Sequence, residues 1–229
     1  MRKLVISVAA AMLTAAPLCA QEAGGPDAKG YITGLGGFAS SLGSTTGNIM
    51  VEGGVRIAPH LMVFGNLGRF GNLQSDLQPT VDAATASLSA GEGLGVVGGG
   101  SLPATYVSGG LRVEVPAGSH FLPYVLGGVG IAHLNPSPQF TFASGTLPDG
   151  STPAVGTDVT AALTSSGSFT DPPASTAPMF TFGGGVQVPV ATRWVVDAAY
   201  RYSRIAADTT LSTSPLNTNG MTFGFGYRF

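Results

Sequence analysis

The sequence predicts an all-β fold, an eight-stranded antiparallel up-and-down transmembrane β-barrel. Three features predict it: a regular alternation of apolar with small or polar residues, an export signal at the N terminus, and connections that alternate between short and long. With 35 glycines and only 10% charged residues, the composition disfavours a helical globule. After the export signal no segment reaches the roughly 18 consecutive apolar residues of a spanning helix. The exported chain is then a periplasmic protein, a secreted protein or a membrane barrel, and only the barrel fits the strand patterns.

The first twenty residues have the pattern of a cleaved signal peptide. Arg2 and Lys3 precede an apolar segment over 4–18, and 18–20 forms an imperfect cleavage site. We therefore expect residues 1–20 to be a signal peptide that exports the chain from the cytoplasm.

Removal of the signal peptide defines the mature chain. We expect a short periplasmic segment at 21–28 and the barrel at 29–229. A lipoprotein anchor at Cys19 is disfavoured, because Leu18 is larger than the residue that such a site needs before its cysteine. Since Cys19 is the only cysteine, the mature chain has no disulfide framework.

The C-terminal segment 219–229 shows the clearest strand pattern. Its even positions hold glycine, threonine or arginine, so one face is small or polar. The odd positions are apolar: Met221, Phe223, Phe225, Tyr227 and Phe229. A soluble edge strand with such an aromatic face would promote aggregation, and we expect this face to contact lipid.

Seven further segments have strand patterns, most of them close to the 9–11 residues of a tilted spanning strand. They lie at 30–39, 49–57, 61–70, 106–115, 120–133, 180–188 and 194–202. In three of them both faces are apolar or glycine, so the pattern leaves open which residues face lipid. These three are 30–39, 61–70 and 120–133.

The connections between these strands alternate in length. The short ones lie around 58–60, 116–119 and 189–192, and the longer ones at 40–47, 71–104, 134–178 and 207–218. This alternation is typical of barrels with short periplasmic turns and long extracellular loops near 71–104 and 134–178. The second of these is rich in Pro, Ser and Thr, and we expect it to be flexible.

Residues 221–229, with a C-terminal phenylalanine and apolar residues at every second position, resemble the terminal assembly signal of bacterial outer-membrane proteins. Nearly the whole mature chain is similar to the OmpA/OmpX-like, porin-family type of protein with an outer membrane protein beta-barrel domain. The resemblance implies a location in the Gram-negative cell outer membrane and recognition of the last strand by the barrel-assembly machinery. It also implies contact with outer-membrane lipid and lipopolysaccharide and a monomeric state.

Charged residues in the clear strands fall on the face opposite the apolar one. An eight-stranded barrel is just wide enough inside for side chains, so we expect arginines and acids to fill the lumen as ion pairs. The predicted lumen charge network is Glu52, Arg56, Arg112, Glu114, Asp197, Arg201 and Arg228. Aromatic residues near strand ends, namely Trp194, Phe229 and Tyr31, are expected in the interfacial girdle.

Other motifs are weak. The run 93–98 matches the GxGxxG dinucleotide pattern, but no βαβ unit surrounds it, and we interpret it as a loop tip. His60, His120 and His133 are too scattered for a metal site, so we expect neither metal nor cofactor. The mature chain has eight basic and twelve acidic residues. It therefore lacks the basic surface that a nucleic-acid-binding protein needs.

The resemblance implies a non-catalytic integral outer-membrane barrel with a structural or surface-interaction role, namely envelope integrity or adhesion-like contacts through its acidic loops. One alternative is a narrow passive channel for small solutes. A second is a lipid A-modifying barrel enzyme, which would need a histidine and a serine facing the outer leaflet. His133 lies at that level, but the neighbouring Ser137 falls in a proline-flanked loop. The sequence leaves the partner or ligand open.

Overall fold

The computed structural model describes residues 28–41, 44–73, 77–115, 121–206 and 215–229. The predicted signal peptide and most of the predicted periplasmic segment lie outside the described residues. In chain order the elements are β1 (Gly30–Ser41), β2 (Ser44–Ala58), β3 (Leu61–Phe70), α1 (Leu77–Glu92), β4 (Gly95–Ser101), β5 (Ala104–Glu114), β6 (Leu122–Leu134), β7 (Ser137–Ser144), α2 (Thr160–Ser166), β8 (Ser175–Pro189), β9 (Trp194–Ile205) and β10 (Leu216–Arg228). None of the helices in this part of the chain is long and apolar enough to cross a membrane.

Eight of the strands form a closed antiparallel barrel in the order β1-β10-β9-β8-β6-β5-β3-β2, and β2 pairs with β1 to complete it. The prediction of an eight-stranded antiparallel barrel is confirmed. Closure pairs the backbone groups of every strand with two neighbours and leaves no open edge. We call the end with the connections β2–β3, β5–β6 and β8–β9 the turn end, and the opposite end the loop end.

Alternation along each strand separates an outward face from the lumen. On β10, Phe223 and Phe225 are about half exposed, at 51% and 52%, whereas Thr222 and Arg228 on the other face are buried. The structure also sets the phase of the three ambiguous strands. Their lumen-facing residues include Tyr31 and Leu35 on β1, Met62, Phe64 and Phe70 on β3, and Tyr124 and Leu126 on β6.

Two of the predicted loops differ from expectation. The long loop expected at 40–47 is wrong, because β1 and β2 remain paired as far as Ser41 and Ser44. Only 42–43, which lie outside the described residues, join them. In the predicted loop 207–218, residues 207–214 also lie outside the described part, and β10 already begins at Leu216.

The described residues of the two longest loops form helices, strands and a shared core, so the expected flexibility of 134–178 is wrong. The strand pair β5–β6 continues beyond the barrel as β4–β7, with the same register from Glu114–Tyr124 to Val96–Phe142. A hydrogen bond from Asn135 N to Pro103 O (3.0 Å) bridges the break between the two pairs. The seven residues of β4 extend this ribbon by about 23 Å, at roughly 3.3 Å per residue.

The helices and the β4–β7 ribbon share a separate apolar core, and we call residues 77–101 and 137–171 the cap. Its buried side chains are Val81, Leu88, Leu94, Val96, Phe140, Phe142, Leu147, Val159, Leu163 and Phe169. Phe140 and Phe169 meet edge to face with 4.8 Å between ring centroids. Burial of this many apolar side chains explains why a segment rich in Pro, Ser and Thr is ordered.

Both edges of the ribbon are covered. On the β4 edge the Gln78 side-chain amide donates to Gly98 O (3.4 Å) and accepts from Gly100 N (3.2 Å). On the β7 edge Phe142 N donates to Thr157 O (2.8 Å), and Val159 N donates to Phe140 O (2.9 Å). The ribbon therefore offers few free backbone groups for pairing with another strand.

The barrel lumen has two layers of different chemistry. The half near the turn end contains the charged side chains described below. The half near the loop end is mainly apolar, with the buried residues Leu35, Ala39, Met50, Phe70, Leu73, Leu102, Ala104, Tyr106, Ala132, Leu134, Ala177, Met179, Ile205 and Leu216. A lumen filled throughout by charges, as the clear strands suggested, is therefore only half of the arrangement.

Candidate functional site

Glu114, at the turn end of β5, is the centre of the lumen network. Arg228 from β10 contacts both of its carboxylate oxygens, with Nη2–Oε2 at 3.0 Å and Nη1–Oε1 at 3.2 Å. Arg112 Nη2 lies 3.1 Å from Oε1, and Arg56 Nη2 lies 3.2 Å from Oε2. Three guanidinium groups thus surround a carboxylate whose side chain is 1% exposed.

Glu52 on β2 is the second carboxylate of the network. Its Oε2 lies 2.7 Å from Arg201 Nη2, and its Oε1 lies 3.6 Å from Arg112 Nη1. The Tyr31 hydroxyl donates to Oε1 at 2.8 Å. Because Arg112 contacts both Glu52 and Glu114, it joins the two ion-pair clusters into one.

The Arg112 guanidinium is also held between two aromatic rings. Its Cζ lies 3.5 Å from the ring centroid of Tyr124 and 4.5 Å from that of Tyr31. A desolvated cation over an aromatic face is attracted to it by about 2 kcal/mol or more. The prediction that Tyr31 lies in the interfacial girdle is wrong, because its side chain points into the lumen and is 1% exposed.

Asp197 on β9 enters the network through neutral donors. It accepts hydrogen bonds from the Tyr124 hydroxyl (2.8 Å) and from Gln187 Nε2 (2.8 Å). Gln187 Oε1 in turn accepts from Arg228 Nη1 at 2.8 Å. The structure thus brings all seven predicted lumen charges together and adds Tyr31, Tyr124 and Gln187, whose roles the sequence analysis did not identify.

The packing of this layer leaves little room in the lumen. A Cβ built on Gly54 would lie 2.5 Å from Cε1 of Tyr31, so the missing side chain makes room for this ring. Further toward the loop end, Arg201, Asn66 and Tyr106 help to line a cavity of about 10 Å³. That volume holds about one water molecule.

The cap is uniformly acidic. Residues 77–101 and 137–171 contain five Asp or Glu and no Lys or Arg. The hydroxyl and the backbone N–H of Ser151 donate to Asp149 and lower the pKa of its carboxyl. The backbone N–H of Thr160 donates to Asp158 at 2.9 Å and likewise lowers its pKa. Both carboxylates are therefore ionised at neutral pH.

The remaining motif residues form no chemical site. Within the described residues no three His, Cys, Asp or Glu side chains come close enough to hold a metal ion. His133 is exposed and lies 3.0 Å from Thr176 Oγ1, and His60 is exposed in the β2–β3 turn with φ of 65°. His120 lies outside the described residues. The run 93–98, expected as a loop tip, instead leads into β4 and packs in the cap.

Aromatic side chains cluster at the turn end of β9 and β10. Trp194 is 45% exposed and stacks on Phe225 with 4.9 Å between ring centroids. Its edge meets Tyr227 at 5.2 Å, and the Tyr227 hydroxyl accepts from Arg193 Nη1 at 2.8 Å. Outward aromatic side chains at a strand end match the interfacial girdle of a membrane barrel.

Comparison with known proteins places this architecture in a family. The model of the outer membrane protein beta-barrel domain family matches residues 5–229. No curated protein sequence matches the chain. The crystal structure of Neisserial surface protein A is similar, with a TM-score of 0.50 and 14% identity, covering 87% of this chain and 96% of that one.

Two further similar structures have lower scores. The attachment invasion locus protein Ail of Yersinia pestis has a TM-score of 0.44 at 14% identity, and the N-terminal β-barrel domain of Pseudomonas aeruginosa OprF has 0.44 at 10%. Each alignment covers 87% of this chain and 96% of the other. At these identities the likeness concerns the fold, whereas the family model covers nearly the whole sequence. The chain therefore belongs to the outer membrane protein beta-barrel domain family.

Proposed function

We propose that this protein is a closed, non-catalytic outer-membrane barrel that carries an acidic cap on the cell surface for contacts with cationic partners. The short turns of outer-membrane barrels face the periplasm and their long loops face outside. The turn end is then periplasmic and the cap extracellular. The observation that carries the proposal is the cap itself, a folded unit with its own core, five acidic residues and no basic residue.

The filled lumen argues for a structural barrel over a passive channel. The ion-pair layer around Glu114 and Glu52 spans the lumen near the turn end, and the apolar layer fills the half near the loop end. A solute would have to separate buried ion pairs and then enter an apolar layer. Each of these steps is costly in free energy.

The rigid attachment of the cap supports a role in surface contact. Because the β4–β7 ribbon continues the register of β5–β6, the cap is an extension of two barrel strands. An ordered surface has less conformational entropy to lose on binding than a mobile loop. Like-charged carboxylates on it would attract cations at long range and repel polyanions.

Conductance and binding measurements test the two halves of this proposal. Refolded protein in planar bilayers is expected to show no steady open level, and a reproducible open level would overturn the closed barrel. Protein in phosphatidylcholine nanodiscs is expected to bind polylysine in a salt-sensitive manner and to leave heparin unbound. A variant with Asp82, Glu92, Asp149 and Asp171 changed to the amides should lose polylysine binding. Equal binding by this variant would refute the role of the acidic surface.

The lipid A-modifying alternative has no support from the arrangement around His133. Its neighbours on the outward face are Thr105 and Thr176. No Asp or Glu among the described residues lies on the outward face of a barrel strand to orient the imidazole. Lipid A from cells with and without the gene should have the same acyl pattern by mass spectrometry. A lost or added acyl chain would revive the enzymatic reading.

The C-terminal strand supports a further part of the proposal. Its outward residues Met221, Phe223 and Phe225 present a continuous apolar face, as a strand recognised by the barrel-assembly machinery would. An F229A variant is expected to assemble more slowly in cells, seen as unfolded protein on unheated gels. Unchanged assembly would refute the recognition of this strand through Phe229.

A further inference from the structure

On four neighbouring strands the outward face of the barrel changes from apolar to polar at one cross-strand row near the loop end. On β3, β5, β6 and β8 this row holds Arg69, Thr105, His133 and Thr176, which are direct cross-strand partners in that order. All four side chains are exposed, and each lies one residue from the loop end of its strand. We call these four residues the rim row.

Below the rim row the outward face of the same four strands is apolar. The next row toward the turn end is Leu67, Val107, Ile131 and Pro178, and the one after it is Gly65, Gly109, Val129 and Phe180. Lipid-facing residues of an outer-membrane barrel form an apolar band that matches the hydrocarbon core. The rim row therefore lies where this band ends, at the level of the lipid headgroups.

The rim row combines a cation with several hydrogen-bond donors. Neighbouring strands are about 4.8 Å apart, so the backbones of Arg69 and His133 are separated by roughly 10 Å with Thr105 between them. His133 Nδ1 lies 3.0 Å from Thr176 Oγ1. Arg69 forms no ion pair with a residue in the described part of the chain. Its guanidinium is thus available for a ligand, and its geometry suits two oxygens of a phosphate.

We infer that the rim row binds a phosphate group on the headgroup of an outer-leaflet lipid, with Arg69 as the main cation and His133, Thr105 and Thr176 as further donors. Charge complementarity favours this occupant, because Arg69 gives the rim row a positive charge and its guanidinium geometry suits the oxygens of a phosphate. A lipid would also cover the apolar rows below the rim row, whereas a free phosphate ion would leave them exposed. The inference is independent of what the cap binds.

The test measures lipid retained by the folded barrel. The full chain is refolded into phosphatidylcholine nanodiscs that contain diphosphorylated lipid A, extracted into mild detergent, and analysed by native mass spectrometry. R69Q is expected to lower the retained lipid A about tenfold, as for the loss of a hydrogen bond to a charged group. H133Q should lower it less, and R69K should restore part of the loss.

Arg204 provides the matched control. It is an exposed arginine one residue from the loop end of β9, but its cross-strand partners are Phe180 and Asn217, so it lies outside the rim row. R204Q should retain lipid A like the unmodified protein. Mobility on unheated gels checks that each variant is folded. If R69Q does not fold, the lipid retained by H133Q decides the test.

Three results would overturn the inference. The first is an equal loss in R69Q and R204Q, which would indicate only a general surface charge. The second is equal retention of dephosphorylated lipid A, which would indicate apolar contact alone. The third is displacement of the lipid by millimolar inorganic phosphate, which would indicate a site for the soluble ion.

Discussion

Replacement of Glu114 by glutamine is the sharpest perturbation of the lumen network. The change keeps the size of the side chain and removes its charge. In the native barrel this carboxylate faces Arg56, Arg112 and Arg228 at N–O distances of 3.0–3.2 Å. The variant would leave three guanidinium groups close together around a neutral amide, of which two belong to fully buried side chains.

The expected cost follows from this geometry. Removing one partner of a buried ion pair typically destabilises a protein by about 3–5 kcal/mol, because the other charge stays buried without compensation. Glu114 has three such partners. In the variant Arg112 would still contact Glu52, and Arg228 would still donate to Gln187. We therefore expect E114Q to lower the free energy of unfolding by about 3–5 kcal/mol. With a urea dependence of about 2 kcal/mol per M, the midpoint should fall by roughly 2 M.

The single tryptophan of the chain provides the assay. Trp194 is outward at the turn end and stacks on Phe225, so its emission should change when the barrel leaves the lipid and unfolds. Urea titrations of protein folded in lipid vesicles would give the midpoint for each variant. Because Trp194 does not contact Glu114, a changed midpoint reports on stability and not on the local environment of the probe.

Glu92 supplies the matched control, since it is an exposed glutamate at the end of α1. E92Q is the same chemical change without buried partners, and it should shift the free energy of unfolding by less than about 0.5 kcal/mol. In the double variant E114Q/R228Q, one orphaned cation is removed as well, so its cost should be well below the sum of the single costs. Equal midpoints for E114Q and E92Q, or strict additivity in the double variant, would refute the reasoning.

Three further predictions concern the cap and the girdle. G98A should increase protease cleavage of the cap and leave the gel mobility of the barrel unchanged, because the added Cβ would overlap the Val81 side chain. The control G99A should have no effect, because a Cβ on Gly99 would meet open space. Similar cleavage of both variants would count against the packed cap. Trp194 emission should be quenched more by lipids brominated near the headgroup than near the chain end, and the reverse order would remove it from the girdle. The pKa of Asp158, measured by NMR, should lie below its usual value because its carboxylate accepts the N–H of Thr160. Its stabilising contribution is then present at neutral pH and is lost as the pH falls through this lowered pKa, and an unshifted value would contradict the hydrogen bond.

Period-two alternation, together with the export signal and the alternating lengths of the connections, predicts the barrel from the sequence, because each strand has to divide its side chains between lipid and lumen. It also places the seven predicted lumen charges of β2, β5, β9 and β10 on the lumen face. The alternation does not show which side chains of β1 point into the lumen, because Tyr31 and Ile32 are both large and the remaining positions are mostly glycine or small. The sequence therefore wrongly predicts Tyr31 in the interfacial girdle, whereas its hydroxyl donates to Glu52 inside the lumen.

The cap could not be predicted in this way because its core has no local period. Val96 lies on β4, Phe140 and Phe142 lie on β7, and Leu163 lies on α2, and these residues come together only when two separate loops meet. Local composition suggested disorder, since Pro, Ser and Thr dominate the second loop. The long-range pairing of Gly95–Ser101 with Ser137–Ser144 decides the outcome, and it follows from the register of the barrel strands below.

The distribution of charge follows from the medium that each part of the barrel contacts. In the lumen water is scarce, so the charges of Glu52 and Glu114 are tolerated only with guanidinium partners. On the cap, water solvates acidic residues that have no cationic partner among the described residues, and their mutual repulsion costs little. Only at the boundary of the lipid can an exposed cation such as Arg69 gain more from an external anion than from water, since the adjacent hydrocarbon lowers the local dielectric constant. Arg69 lies outside both the paired lumen and the acidic cap, and its place in the rim row beside Thr105 and His133 is what the proposed lipid phosphate would use.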